Sequence, residues 1–156
     1  MVTLALDVDD LLAQAPGAPS ESVAPGTSIG HVHLKVADVP RATTFYRDVL
    51  GLEEQALLPS AAFLSAGGYH HHIGLNSWQS GGASASPPST PGLREIDFEL
   101  SSEASIDALC RGVAEAHANA PEQNGEETGA VKLEDPDGIE LSFTPAPAHR
   151  QAAAQA

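Results

Sequence analysis

The strongest constraint on the fold is a pattern of signals that occurs twice along the chain. Residues 29–38 read IGHVHLKVAD, with polar and apolar side chains alternating, and VPRATTFYRDVLG follows with apolar positions at helical spacing. Residues 93–101 read LREIDFELS, again alternating, and a second helical stripe follows. Alternation sends successive side chains to opposite faces of a strand, whereas a 3.6-residue recurrence gathers them on one side of a helix. A chain that runs strand, helix and further strands, and then repeats, has to lay a helix against one face of each sheet.

The remaining signals complete each half. In the first, Pro40 suits the opening turn of the helix and Gly51 its end, with Ala42, Phe45, Tyr46, Val49 and Leu50 as the buried stripe. Strands are expected over 52–57, 61–66 and 69–78. In the second, a helix is expected over 103–118, with Ser102 as N-cap and Ile106, Leu109, Cys110, Val113 and Ala114 facing inward. Strands over 129–134 and 139–143 flank Asp135-Pro136-Asp137-Gly138, where Pro presets one turn dihedral and Gly accepts a positive one. The segment 121–128 is too polar to place its strand. The run QSGGASASPPSTPG, 79–92, is a linker between the modules 29–78 and 93–144.

Together these modules form a single domain, 29–145. Residues 1–28 are an extension: a short amphipathic helix around Leu4 to Leu12, carrying Asp7, Asp9 and Asp10, followed by a Pro/Gly/Ser-rich linker. The Ala/Gln/Pro-rich tail 146–156 is expected to fray. The expected class is α+β, with two β-α-β-β-β modules forming a curved mixed sheet around a metal-capable cavity and the helices on the outer face.

Charge and composition narrow the function. The 156 residues carry a formal net charge of −14, which argues against nucleic acid or an anionic membrane as partner. No segment approaches the roughly 20 apolar residues of a transmembrane helix. The N-terminus lacks a basic start followed by an apolar run, so a cytoplasmic location is expected. Cys110 stands alone, which excludes an intramolecular disulfide and any cysteine-based zinc knuckle.

Parity sorts the residues further. Val32, Leu34 and Val36 share one face of the first strand, and His31, His33 and Lys35 the other. In 69–78 the apolar set is Tyr69, Ile73 and Leu75; His70, His72, Asn76 and Trp78 oppose it, and His71 joins the apolar side as a satisfied buried histidine. Ile96, Phe98 and Leu100 oppose Glu95, Asp97 and Glu99, and Ile139, Leu141 and Phe143 oppose Gly138, Glu140 and Ser142. The face away from the helices is therefore rich in imidazole and carboxylate, a nitrogen and oxygen set suited to Fe(II), Mn, Ni or Zn. Asn76 and Trp78 can hydrogen-bond and stack a planar ligand. Cys110 reads as core, and Glu53-Glu54 and Glu126-Glu127 as solvated turns.

The stretches IGHVHLKVADVPRATTFYRDVLGL (29–52), AFLSAGGYHHHIGLNSW (62–78), GLREIDFEL (92–100) and EDPDGIELSF (134–143) give the chain a likeness to a known group. It resembles the vicinal oxygen chelate superfamily of glyoxalases, bleomycin-resistance proteins and extradiol dioxygenases, most of all the catechol-2,3-dioxygenase-like branch. The resemblance implies a divalent-metal enzyme, with Fe(II) or Mn favoured over Ni or Zn, that chelates a small substrate through vicinal oxygens. It implies His31, Asp97 and Glu140 as metal ligands, Asp97 standing where the family usually has histidine. His72, with His70 on the same face, falls where the dioxygenase branch keeps its acid/base histidine, and His33, Asn76 and Trp78 line the pocket against substrate. It also implies a homodimer. The alternatives are a metal-free protein that sequesters a small aromatic or drug-like molecule in the same groove, and an inactive relative.

Overall fold

The computed structural model describes residues 5–14, 22–23, 27–84, 87, 89–115 and 130–146. The chain divides into two units, Met1–Gly30 and His31–Ala156. The first holds a short helix, α1 (Val8–Ala13), whose N-cap Asp7 accepts the Asp10 amide at 3.0 Å. Asp9 and Asp10 lie in its first turn, where negative charge complements the helix dipole. Among the described residues no helix is long and apolar enough to cross a membrane.

The second unit is α+β and carries the repeat. Its first module runs β1 (Val32–Lys35), α2 (Val39–Thr44), β2 (Glu53–Leu58), β3 (Ala61–Ser65) and β4 (Ile73–Asn76). Asp38 caps α2 by accepting the Arg41 amide at 2.8 Å, and Pro40 sits in the first turn, where its missing N–H costs nothing. The helix widens into a π-helical turn over Phe45–Val49 and ends before Gly51, at a φ of 74°. The sheet order is β1-β4-β3-β2, with β1 and β4 parallel and the rest antiparallel.

The second module runs β5 (Glu95–Leu100), α3 (Glu103–Glu115), β6 (Val131–Glu134) and β7 (Glu140–Pro145). Ser102 Oγ caps α3, accepting the Ser105 amide at 3.2 Å as its position predicts. The order is β5-β7-β6, with β5 and β7 parallel. Among the described residues the two modules thus form two separate mixed sheets rather than one continuous sheet. The segment 121–128, the C-terminal end of the expected 103–118 helix and the tail beyond 146 lie outside the described residues.

Parity holds for β1, where Leu34 and Val36 are buried and His33 and Lys35 exposed, and for β5, where Ile96 is buried and Glu95, Asp97 and Glu99 are exposed. It does not carry through 69–78. The strand starts only at Ile73, because Gly67 and Gly68 adopt φ values of 65° and 70° and Ser65 Oγ donates to the Tyr69 carbonyl at 2.5 Å. Those local bonds hold the chain in a turn that a flat strand would abolish. His70 and His71 therefore lie outside the strand, His70 exposed and His71 buried as their parity assigned them, whereas Asn76, assigned to the polar side, is buried.

One apolar core joins both modules, from Leu34, Tyr46, Leu64 and Leu75 in the first to Leu109, Val113, Leu141 and Phe143 in the second. Gly112 lets α3 approach closely: a Cβ there would lie 3.0 Å from the Val49 carbonyl oxygen. The expected turn forms, with Gly138 at a φ of 87° and Asp135 Oδ1 accepting the amides of Asp137 and Ile139, each at 2.9 Å. It also docks on the first module. Tyr46 donates to Asp135 Oδ2 at 3.0 Å, and Asp137 Oδ1 accepts from the Ala37 amide at 2.8 Å and from Arg41 at 3.1 Å.

Candidate functional site

A cluster of histidines gathers at one end of the first sheet. His31 precedes β1 and His33 lies within it, while the Gly67-Gly68 turn delivers His70 and His71 just before β4. Parallel pairing of β1 with β4 sets Val32 opposite Ile73 and so brings the two histidine segments side by side. The His31 and His71 rings are 4.6 Å apart, His70 and His71 4.6 Å, and His33 and His71 5.0 Å. One ligand-capable atom from each of His31, His70 and His71 lies within 4.8 Å of the others. Metal–nitrogen bonds of about 2.0–2.1 Å set ligand atoms ~3–4 Å apart, so holding an ion there would require the three side chains to draw closer.

His71 is the hub. It is 7% exposed, and its Nε2 lies 3.0 Å from Nε2 of His33, while its Nδ1 is buried with no hydrogen-bond partner. Burial first, and then the neighbouring imidazoles His31, His33, His70 and His72, hold its pKa below the usual histidine value and favour the neutral, metal-ready ring. Phe63 packs edge-on against His71 and His33, with ring centres at 5.0 and 6.1 Å. Gly74, opposite His33 in the β1–β4 register, makes room for its ring: a Cβ on Gly74 would sit 2.9 Å from that ring. Three imidazoles, one with an orphaned buried nitrogen, fit a divalent transition metal.

The other expected site residues fall elsewhere. His72 sits at the edge of the cluster, its Nδ1 accepting the Ala66 amide at 3.1 Å and its ring stacked on Tyr69 at 4.8 Å. Asn76 is buried, and Trp78 is 67% exposed. Asp97 is exposed on β5, opposite Ser142 in the register. Glu140 pairs in register with Glu95, and Lys132 bridges the two carboxylates, at 3.0 Å to Glu95 and in direct hydrogen-bond contact with Glu140. That hydrogen bond, and then the Lys132 charge, hold the Glu140 carboxyl below the usual carboxylate range. Among the described residues, His31 converges with His70 and His71 and not with Asp97 or Glu140.

Sequence reasoning overlooked Lys132, Phe63 and Gly74, and it read His71 as a satisfied core residue. Gly74 did carry a signal, because a lone glycine inside a strand marks a close approach. Lys132 carried none, since its partners are set by strand register.

Comparison with known proteins agrees with the fold. The chain belongs to the Glyoxalase/Bleomycin resistance protein/Dioxygenase superfamily, which matches residues 28–143. It is similar to the catechol-2,3-dioxygenase of Bacillus subtilis (strain 168), 36% identical over 146 residues that cover 92% of this chain and 50% of that protein. The chain thus spans about half the length of that relative. Among solved structures, lactoylglutathione lyase from Agrobacterium tumefaciens shares the fold with a TM-score of 0.58 at 23% identity, over 79% of this chain and 96% of that one. A glyoxylase/bleomycin resistance protein/dioxygenase domain from Frankia sp. EAN1pec does so with a TM-score of 0.61 at 23% identity, over 78% and 98%.

Proposed function

We propose that this chain is a divalent-metal-dependent enzyme of the dioxygenase/glyoxalase type, acting on a small substrate that offers two neighbouring oxygens. The observation that carries this reading is the convergence of His31, His70 and His71, the last of which has a buried nitrogen without a partner. A divalent cation bound there would supply Lewis acidity to the substrate oxygens. Imidazole donors suit Fe(II), Ni or Zn better than Mn, which prefers carboxylate and water.

His72 would hold a proton at Nε2, because its Nδ1 accepts the Ala66 amide and a neutral ring then carries its hydrogen on the other nitrogen. From that atom it can give a proton to a substrate oxygen and take one back. His70, expected beside it as an acid/base group, is assigned to the ion instead. Asn76 and Trp78 are the proposed substrate contacts, Trp78 for its exposed indole face. His33 is assigned to His71 rather than to substrate. A homodimer belongs to the same proposal: among the described residues β1 and β5 are sheet edges, and their exposed faces carry His33 and Lys35 on one and Glu95, Asp97 and Glu99 on the other.

The ligand set implied by the resemblance, His31 with Asp97 and Glu140, competes with this one. Metal analysis of H70A/H71A and D97N/E140Q proteins separates them. Loss of metal in the first pair alone supports the three-histidine set; loss in the second pair alone supports the carboxylates. A metal-free binding protein is favoured by one observation, that Lys132 already pairs with both Glu95 and Glu140. Wild-type protein that retains no metal after dialysis against Fe(II), Ni or Zn would support that reading. Aerobic assay with catechol and Fe(II), set against methylglyoxal and a thiol with Ni or Zn, then distinguishes ring cleavage from isomerisation.

A further inference from the structure

We infer that His33 is a positioning residue that sets the tautomer of His71, taking its Nε2 proton in a hydrogen bond and leaving Nδ1 as a free lone pair. This rests on the metal reading above. The Nε2 atoms of His33 and His71 lie 3.0 Å apart, so one must donate and the other accept. If His33 donates, the neutral His71 ring carries its other hydrogen on Nδ1, and a buried N–H is left with no acceptor. If His71 donates, no N–H of His71 is stranded, and its buried Nδ1 is left as a lone pair on a ring that stands beside His31 and His70. His33 is on the exposed face of β1 and tolerates either state, so the cost at His71 decides.

The rest of the surroundings hold His33 to this task. Its ring lies against Gly74, where any side chain would collide at 2.9 Å, and Phe63 packs edge-on to both imidazoles. A metal-binding histidine whose second ring nitrogen is held by a fixed acceptor binds with its ring oriented and its basicity raised. Gly74 and His33 therefore act on the site through His71.

Two measurements on the full chain test this. In metal-free, 15N-labelled protein, long-range proton–nitrogen correlation should show His71 protonated at Nε2 and bare at Nδ1; the opposite tautomer overturns the inference whether or not metal binds. Zinc titration should then show about 10–100-fold weaker binding in H33A, the usual size of such outer-sphere losses, and recovery in H33Q, whose side-chain carbonyl can accept the same proton. Wild-type affinity in H33A, or no recovery in H33Q, overturns it as well. If wild type and H70A bind zinc equally, the three-histidine site is what has failed, and the tautomer measurement still decides the role of His33.

Discussion

The phenol of Tyr46, fully buried at the π-helical turn of the first module, donates to Asp135 Oδ2 at 3.0 Å in the hairpin turn of the second. The two residues are 89 positions apart in the chain, so this bond ties the modules to each other. Burial foremost, followed by the charge of Asp135, its hydrogen bond and the charge of Asp137, raises the Tyr46 pKa far above the ordinary tyrosine value. Removing the hydroxyl in Y46F should cost about 1.5–3 kcal/mol at neutral pH, the range for a hydrogen bond to a charged group, measured by urea unfolding.

The same bond sets an alkaline limit. Tyr46 stays neutral in the folded chain while the unfolded chain ionises near pH ~10, so its contribution is full below that pH and shrinks as pH rises. The stability gap between wild type and Y46F should accordingly narrow above pH ~10. A gap that stays constant from pH 7 to 11 would show that the phenol ionises equally in both states.

Gly74→Ala should destabilise the fold by about 1–3 kcal/mol, the usual cost of overpacking, because the new methyl meets the His33 ring at 2.9 Å. In an H33A background the obstacle is gone and most of that cost should vanish. Unfolding of the single and double variants gives the coupling directly. Additive losses would mean that the glycine serves the backbone and not the imidazole.

Metal should stabilise the chain by mass action. At a free concentration 100 times its dissociation constant, zinc or nickel should add about 2.7 kcal/mol, read as a rise in thermal midpoint. The rise should disappear in H70A/H71A and persist in D97N/E140Q. An equal rise in all three proteins would point to a cation held elsewhere.

Lys132→Met tests the carboxylate side. Lys132 holds the Glu140 carboxyl below its usual range, so the methionine variant should move its titration upward, toward an ordinary glutamate, as followed by carbon NMR. Through this lowered pKa Glu140 favours folding above the pKa of unfolded glutamate, and the benefit is lost as the pH falls through the folded value. Both groups are exposed, so the change in overall stability at neutral pH should be small. An unmoved Glu140 titration in K132M would remove the lysine as its cause.

Much of this protein was legible residue by residue. Alternation in 32–36 and 95–100 determined which side chains face the helices, and Pro40, Gly51, Ser102 and Gly138 marked turns and caps through backbone preferences that act within a few residues. That His31 and His33 are exposed was readable for the same reason, since strand parity is a local property. The failure at 69–72 was also local in cause, because two left-handed glycines and one serine hydroxyl hold a turn where periodicity suggested a strand. What only the tertiary structure decided is partnership across the chain: His71 beside His31 and His33, Lys132 between Glu95 and Glu140, and Tyr46 against Asp135. Those pairings depend on strand register and on how two modules dock, and both follow from packing free energy summed over the whole core rather than from the preference of any single segment.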